Sequence, residues 1–206
     1  NFLMNMMLGD IVEAVFKGLL RQADVAYDDA KKVSLELDNE TTVEGTYDIV
    51  IDDAVDDIKS ASDWSYRNKF ESFASLADGD AFGYIGQLAG YAKALNKRAG
   101  GWWVINKANG QFKYVPAEGI DMNKEVKKLS SNADVVKKNK FKRCFEPVEE
   151  TFRGKPTGNK ILGTTCSFCR FKHLCWKNLQ ELPSIMSQAK DPKIVSYVEI
   201  GKEKLI

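Results

Sequence analysis

Residues 45–60 read GTYDIVIDDAVDDIKS, and this stretch predicts the centre of the fold. Two β-rich runs flank Asp52 and Asp53, a pair that is typical of a turn. A turn at this point makes the two runs neighbouring strands and brings Asp48 beside Asp57. Because side chains alternate along a strand, we expect Asp57 and Lys59 on the same face of the second strand.

Hydrophobic periodicity and turn residues predict the elements around this stretch. The predicted helices cover residues 8–22, part of 60–73, 81–98 and 121–142, and the predicted strands cover 33–37, 43–51, 54–60 and a hairpin over 102–115. Asn109-Gly110 predicts a two-residue hairpin turn, 153–165 is expected to be irregular, and 183–206 has no clear pattern. We therefore expect an α/β fold with a mixed central sheet flanked by helices.

Glycines in two of these elements predict close contacts. Gly45 lies within a β-rich run, where an isolated glycine indicates a bulge or a close approach of another group. Three glycines within the helix predicted over 81–98 indicate close packing against a neighbouring element. In the hairpin, Trp102 and Trp103 should point to opposite faces, with at least one of them in the core.

Composition describes an ordinary globular chain, with 44% hydrophobic and 29% charged residues in 206. The longest apolar run is far below the ~20 residues of a membrane span, so we expect no membrane partner and a cytoplasmic protein. The net charge of +1 conceals an asymmetry, since residues 1–60 have net charge −9 and residues 123–177 have net charge +9. The acidic part could hold metal cations and the basic part a polyanion; alternatively, the two are solvated faces that pair with each other.

The acidic stretch combines groups that suit metal-dependent phosphodiester cleavage. Carboxylates such as Asp48 and Asp57 are the oxygen ligands that Mg²⁺ prefers. A bound metal lowers the pKa of water and polarises a phosphate, and Lys59 could orient that water and offset charge on the phosphate. The alternative is that these aspartates are turn and surface residues, because a D…DxK string alone recurs by chance.

Further motifs support the first interpretation. The first helix contains Gly9-x-x-x-Glu13, and Gln87 and Tyr91 are four residues apart on one helix face. In this order, together with Gly45-x-x-Asp48 and Asp57-x-Lys59, the motifs resemble the PD-(D/E)xK nuclease superfamily, in particular its RecB-like and phage-type exonuclease branch.

That resemblance implies a restriction-endonuclease-like core and a set of site residues. The implied ligands of Mg²⁺ or Mn²⁺ are Glu13, Asp48, Asp57 and the carbonyl of Ile58. Lys59 would be the catalytic lysine, and Gln87 and Tyr91 would position DNA or the lysine.

All four cysteines lie in the last third of the chain. They are Cys144, Cys166, Cys169 and Cys175. Four thiolates in this pattern predict a [4Fe–4S] cluster or a Zn²⁺ site with a structural role. The C-x2-C-x5-C spacing resembles iron–sulfur nucleases of the RecB-like branch, and we expect Trp176 and one of Phe168 or Phe171 to pack around the centre.

Basic and aromatic residues are candidates for DNA contacts. Lysines and an arginine lead into Cys144, and a Trp-x-Tyr-Arg group follows the second acidic strand. The candidates are Trp64, Tyr66, Arg67, Lys137, Lys138, Lys140, Lys142 and Arg143. The alternative is a solvated lysine-rich helix, with Trp64 in the core.

Together these features predict a metal-dependent DNA exonuclease in phage-type replication, recombination or DNA degradation. We expect a nuclease core over residues 1–143 and a Cys-rich, metal-bound segment over 144–206. The alternatives are a catalytically inactive nucleic-acid-binding module of the same fold and a metal-stabilised protein-interaction domain.

Overall fold

The computed structural model describes residues 2–38, 40–140 and 142–201. It divides into two compact units, Asn1–Asp134 and Val135–Ile206; the sequence analysis placed a boundary after residue 143. The first unit is mixed α/β, with a mixed central sheet flanked by helices, as predicted. None of the helices in the described ranges has the length and apolar character needed to cross a membrane.

The first unit contains four helices, a π-helical turn and seven strands. In chain order they are α1 (Phe2–Gln22), β1 (Asp28–Asp29), β2 (Lys32–Leu37), β3 (Thr41–Thr46), β4 (Ile49–Ile51), β5 (Ala54–Ala61), the π-helical turn (Ser65–Lys69), α2 (Phe73–Ala77), α3 (Tyr84–Leu95), β6 (Arg98–Asn106), β7 (Phe112–Pro116) and α4 (Met122–Lys137), which extends past the unit boundary.

The central sheet has the strand order β1-β4-β5-β6-β7. The β5–β6 pair is parallel and the other pairs are antiparallel. On one face, Leu88 of α3 packs with Trp102 in the main core, and on the other face Phe16 of α1 packs with Ile58. Burial of Trp102 confirms that one of the paired tryptophans is in the core.

The turn at Asp52 and Asp53 sets the register of β4 against β5. Both residues have positive φ, 48° and 60°, which matches the right-handed twist of a two-residue hairpin. Ile51 therefore pairs with Ala54. The predicted turn is confirmed, and the presence of Asp52 and Asp53 at this point is explained by the turn without any role in a metal site.

The predicted strand over 43–51 is two strands. β3 pairs with β2 in a separate two-stranded sheet, whereas β4 joins the central sheet. The chain changes sheets at Tyr47 and Asp48, and the Tyr47 side chain is buried in the main core. Gly45 has the predicted close approach, because a β-carbon there would lie 2.7 Å from Cε1 of Tyr91.

Several predicted boundaries were wrong for local reasons. The helix over 81–98 begins only at Tyr84, where both oxygens of Asp80 accept from backbone amides, and ends at Asn96 with positive φ. A β-carbon on Gly90 within it would lie 3.2 Å from Leu129, the predicted close packing. The hairpin predicted over 102–115 has a four-residue loop instead of the predicted two-residue turn. The backbone amide of Asn106 donates to the carbonyl oxygen of Gln111 and closes this loop.

Two further predictions in the helical segments are confirmed only in part. The segment within 60–73 forms a π-helical turn, and Ser72 then caps the short helix α2. The helix predicted over 121–142 ends at Lys137, shortly before Asn139 adopts positive φ.

The second unit contains a four-stranded antiparallel sheet. Its elements are β8 (Val148–Phe152), β9 (Lys155–Ile161), α5 (Thr164–Ser167), α6 (Lys172–Cys175), β10 (Gln180–Pro183) and β11 (Ile194–Glu199), with the strand order β10-β11-β9-β8. The irregular segment expected over 153–165 was wrong, since Arg153 and Gly154 form a positive-φ turn between β8 and β9. Buried Glu150 accepts hydrogen bonds from Asn159 and Tyr197.

Candidate active site

Asp48 and Asp57 meet where the β4–β5 ladder ends. The last pair in that ladder is Ile49 with Asp56. One residue further on, an oxygen of Asp48 accepts a 2.7 Å hydrogen bond from the backbone amide of Ile58. The carboxylate therefore takes the place of a strand at this edge of β5 and is held next to Asp57.

The Asp57 side chain is buried and only half satisfied. Its Oδ1 accepts a 2.7 Å hydrogen bond from the ammonium of Lys59, as expected for residues on one face of a strand. Its Oδ2 is buried and accepts no hydrogen bond from a donor group among the described residues, and the carboxyl group of Asp48 lies within hydrogen-bond reach of the Asp57 side chain. A buried carboxylate oxygen with no donor has the chemistry of a cation ligand.

Burial raises the pKa of Asp57 to about 7. The ammonium of Lys59 opposes this shift, and the neighbouring charge of Asp48 adds to it. A divalent cation bound to the free oxygen would offset both burial and like-charge repulsion. The carboxylate pair therefore has the donor chemistry and the negative charge that suit Mg²⁺ or Mn²⁺.

The Lys59 ammonium has an aromatic neighbour that sequence reasoning missed. It lies 5.3 Å from the ring centroid of Tyr84, the first residue of α3. Burial lowers the pKa of Lys59, but Asp57 and Asp48 together raise it above its usual value, so the lysine remains cationic. Tyr84 precedes Gln87 by three residues, and this helical spacing was the signal available in the sequence.

Gln87 and Tyr91 lie on one face of α3, as predicted. The amide nitrogen of Gln87 donates a 3.2 Å hydrogen bond to the hydroxyl of Tyr91. Both residues line a cleft of about 390 Å³ between α3, α4 and the β2–β3 hairpin.

Glu13 lies with a different group of residues. Lys17 is buried and donates to Glu13 at 2.6 Å and to Asp29 at 2.7 Å. The helix α1 packs on the face of the sheet that carries Ile58, opposite the face of Asp57. The described hydrogen bonds of Glu13 therefore involve Lys17, and its role as a metal ligand stays a prediction.

The candidate DNA-binding residues differ in their surroundings. Trp64 is 68% exposed, whereas Tyr66 packs against the main core beneath the ammonium of Lys113. Arg67 forms an ion pair with Asp63 at 3.0 Å. Exposure makes Trp64 available for stacking, while Tyr66 and Arg67 already have intramolecular partners.

The basic run belongs to the second unit. Lys137 ends α4, and Lys138, Lys140 and Lys142 follow it. Arg143 donates to the carbonyl oxygen of Cys175 at 3.0 Å, and its guanidinium lies 3.9 Å from the ring centroid of Trp176. Arg143 thus has a structural role in the Cys-rich segment.

The four cysteines lie together in the second unit. Burial raises the pKa of Cys166, and the negative charges of the other three thiolates raise it further. Within the described ranges, however, no group of three or more His, Cys, Asp or Glu side chains has the arrangement of a metal site. The thiols fit a soft metal or cluster in donor chemistry.

The aromatic residues near the cysteines in the sequence differ in their exposure. Trp176 is buried. Phe168 and Phe171 are 69% and 44% exposed, and the packing of one of their rings around the centre stays a prediction.

Comparisons with known proteins leave the family open. No protein-family model matches the chain, and no curated protein matches it. One similar solved structure is the crystal structure of SSO0001, with 16% sequence identity and a TM-score of 0.49 over 83% of this chain and 70% of that chain. At this similarity the match assigns neither a family nor a function.

Proposed function

We propose that this chain is a metal-dependent DNA exonuclease of the PD-(D/E)xK type, RecB-like branch. One observation carries the proposal: in buried Asp57 one oxygen accepts from Lys59, and the other has no donor group and lies beside the carboxyl group of Asp48. A purely structural carboxylate would have both oxygens satisfied, because unpaired buried polar atoms are costly. The neighbouring buried aspartate, Asp56, has both oxygens satisfied, because one accepts from Tyr114 and the other from Trp103.

The residues of the site have distinct roles in this proposal. Asp48, Asp57 and the carbonyl of Ile58 would hold Mg²⁺ or Mn²⁺, with Glu13 as the additional ligand implied by the resemblance. The bound metal would supply an activated water and polarise the scissile phosphate. Lys59 orients the attacking water and stabilises the negative charge that develops on the phosphate.

The polar residues of α3 position the reactants. The hydrogen bond between Gln87 and Tyr91 fixes the amide of Gln87 at the wall of the cleft, where it can bind a DNA phosphate or sugar. The ring of Tyr84, whose centroid is 5.3 Å from the Lys59 ammonium, restricts the positions that the ammonium can take.

We propose a structural role for the cysteines. Cys144, Cys166, Cys169 and Cys175 would bind a [4Fe–4S] cluster, or Zn²⁺ in its place, and thereby stabilise the second unit. Its small sheet buries few large side chains, so a metal centre would add folding free energy that a small core lacks. The lysines at 137, 138, 140 and 142 would bind the DNA backbone.

Digestion of DNA tests the function directly. End-labelled linear DNA and a closed circle are incubated with Mg²⁺, Mn²⁺ or EDTA. We expect metal-dependent loss of the linear DNA, an intact circle, and no activity with K59A. Cutting of the circle would make the enzyme an endonuclease with the same site.

A matched control separates chemistry from general charge. Lys97 pairs with Asp53 at the hairpin turn and has no place in the proposed site, so K97A should retain activity. An active K59A variant would contradict the site assignment. Absence of cleavage with every metal, combined with retained DNA binding, would favour the inactive binding module.

A further inference from the structure

Three aromatic rings form a column that begins at the surface, and its middle ring lies beside Lys59. Phe82 is 55% exposed and its ring stacks on Tyr84, with centroids 5.9 Å apart and planes inclined by 25°. Tyr84 in turn stacks on buried Phe70 at 5.8 Å and 24°. Phe82 is therefore the solvent-exposed ring of the column. Its stacking partner Tyr84 has its ring centroid 5.3 Å from the Lys59 ammonium.

The exposed end of the column also carries a positive charge. The Lys69 ammonium lies 4.9 Å from the ring centroid of Phe82 and 4.5 Å from that of Tyr84. Asp80 is the nearby carboxylate, but both of its oxygens accept hydrogen bonds from the first amides of α3. Because Asp80 already caps α3, the Lys69 ammonium can form an ion pair with a bound anion.

We propose that Phe82 is a stacking platform for an unpaired nucleic-acid base, with Lys69 binding that nucleotide's phosphate. A flat apolar ring beside an ammonium complements a nucleotide, which offers a π-face and an anion a few ångströms apart. This inference rests on the proposed nuclease function and specifies its substrate as DNA with a single-stranded segment at the site.

Base stacking favours a single strand over a duplex for a geometric reason. Inside a duplex, both faces of every base are covered by neighbouring bases, so a protein ring reaches a base face only at an end or an unpaired position. Phe82 lies in the loop between α2 and α3, and Gly83 with φ of 73° starts the helix directly after it. This loop presents the ring at the mouth of the cleft that Gln87 and Tyr91 line.

The test compares two probes of equal length and charge in EDTA, where no cleavage takes place. One is an oligonucleotide of eight thymidines, and the other is the same backbone without bases. Anisotropy titrations give the ratio of the two dissociation constants. We expect F82A to reduce the preference for the probe with bases about tenfold, within the range measured for loss of one stacked base. F82W should keep the preference, because tryptophan retains the stacking surface.

Phe112 provides the matched control. It is also 55% exposed and lies in the first unit, but it packs against Phe16 and Trp103. F112A should keep the wild-type preference. K69A should weaken binding of both probes equally, because it removes a phosphate contact that does not depend on the base.

The outcomes distinguish this inference from the proposed function. An unchanged preference in F82A, an equal loss in F112A, or failure of the wild-type chain to bind the thymidine probe would overturn the platform. Cleavage of DNA with an unchanged preference in F82A contradicts the platform alone. A lost preference in F82A without cleavage by the wild-type chain contradicts the nuclease and supports the platform.

Discussion

Gly45 of β3 lies directly against the ring of Tyr91 on α3. A β-carbon at this position would come within 2.7 Å of Cε1 and 2.9 Å of the hydroxyl oxygen of Tyr91. The same hydroxyl accepts the hydrogen bond from Gln87. Two motifs that are more than 40 residues apart in the sequence are thus one packed unit, in which the absence of a side chain at Gly45 sets the position of Tyr91.

This contact predicts coupled effects of substitution. G45A should displace the Tyr91 ring and reduce DNA cleavage, while the double variant G45A/Y91A should be no slower than Y91A alone. The physical reason is that the methyl group acts only through the ring it displaces. The cleavage rates of these three variants and of the wild-type protein form a double-mutant cycle. Additive losses would show that Gly45 acts elsewhere; G79A, with no atom within 4 Å of its β-carbon, is the neutral control.

Metal binding should depend on Asp57 and be independent of Asp56. The two carboxylates are adjacent and both buried, but Asp56 has hydrogen-bond donors for both oxygens and Asp57 does not. D57N should weaken Mn²⁺ binding at least about tenfold, since it removes a charged ligand. D56N should bind Mn²⁺ normally. Calorimetric titration measures both, and comparable affinities for D57N and wild type would exclude Asp57 as a ligand.

The metal-free protein should lose stability as the pH rises from about 4 towards neutrality. The pKa of Asp57 is about 7 in the folded chain and 3.8 as its ordinary value. Between these values the folded chain binds the extra proton, so the free energy of unfolding falls from about pH 4 to about pH 7 and is then level. Burial also raises the pKa of Asp56, which contributes in the same direction.

Denaturant unfolding in EDTA at several pH values checks this dependence. D57N should flatten the curve and leave only the part due to Asp56. Mg²⁺ should stabilise the wild-type protein more at pH 8 than at pH 5, because protons compete with the metal for the carboxylate. A wild-type curve that rises between pH 4 and pH 7 would contradict the raised pKa of Asp57.

Removal of the cysteine-bound metal should destabilise the protein more than loss of the catalytic lysine. C169S should lower the melting temperature more than K59A does, and of the two only C169S should lower the iron or zinc content. Elemental analysis after anaerobic purification distinguishes iron from zinc. S167A, inside the same Cys-x-x-Cys segment, is the matched control and should retain the metal. Full metal content in C169S would remove Cys169 from the ligand set.

Arg143 and Lys140 should separate structure from DNA binding. R143A removes the contacts with Cys175 and Trp176, so we expect a lower melting temperature. K140A should leave the melting temperature unchanged and weaken DNA binding, with a smaller dependence of affinity on salt. Thermal unfolding and salt-dependent DNA titrations measure the two effects. If instead R143A weakened only DNA binding and K140A lowered only the melting temperature, Arg143 would be a DNA contact and Lys140 would have the structural role.

Local patterns predicted the centre of the fold well and its periphery poorly. The Asp52–Asp53 turn fixes its own backbone, and strand alternation then places Asp57 and Lys59 on one face. The sequence did not reveal that β3 leaves the central sheet, because pairing partners of a strand are set by distant residues. The β9 strand was missed because its residues Lys155–Ile161 lack apolar alternation.

Sequence alone determined the turn, the alternation and the helical spacing that place Asp48, Asp57, Lys59, Gln87 and Tyr91, because each depends on a few adjacent residues. Tertiary structure decided the rest. It buried Asp57 with an oxygen that has no donor group, set Tyr84 over Lys59, and paired Glu13 with Lys17. Burial and contacts across the sheet arise only when distant segments pack, and so they shift pKa values and choose partners in ways that no local pattern specifies.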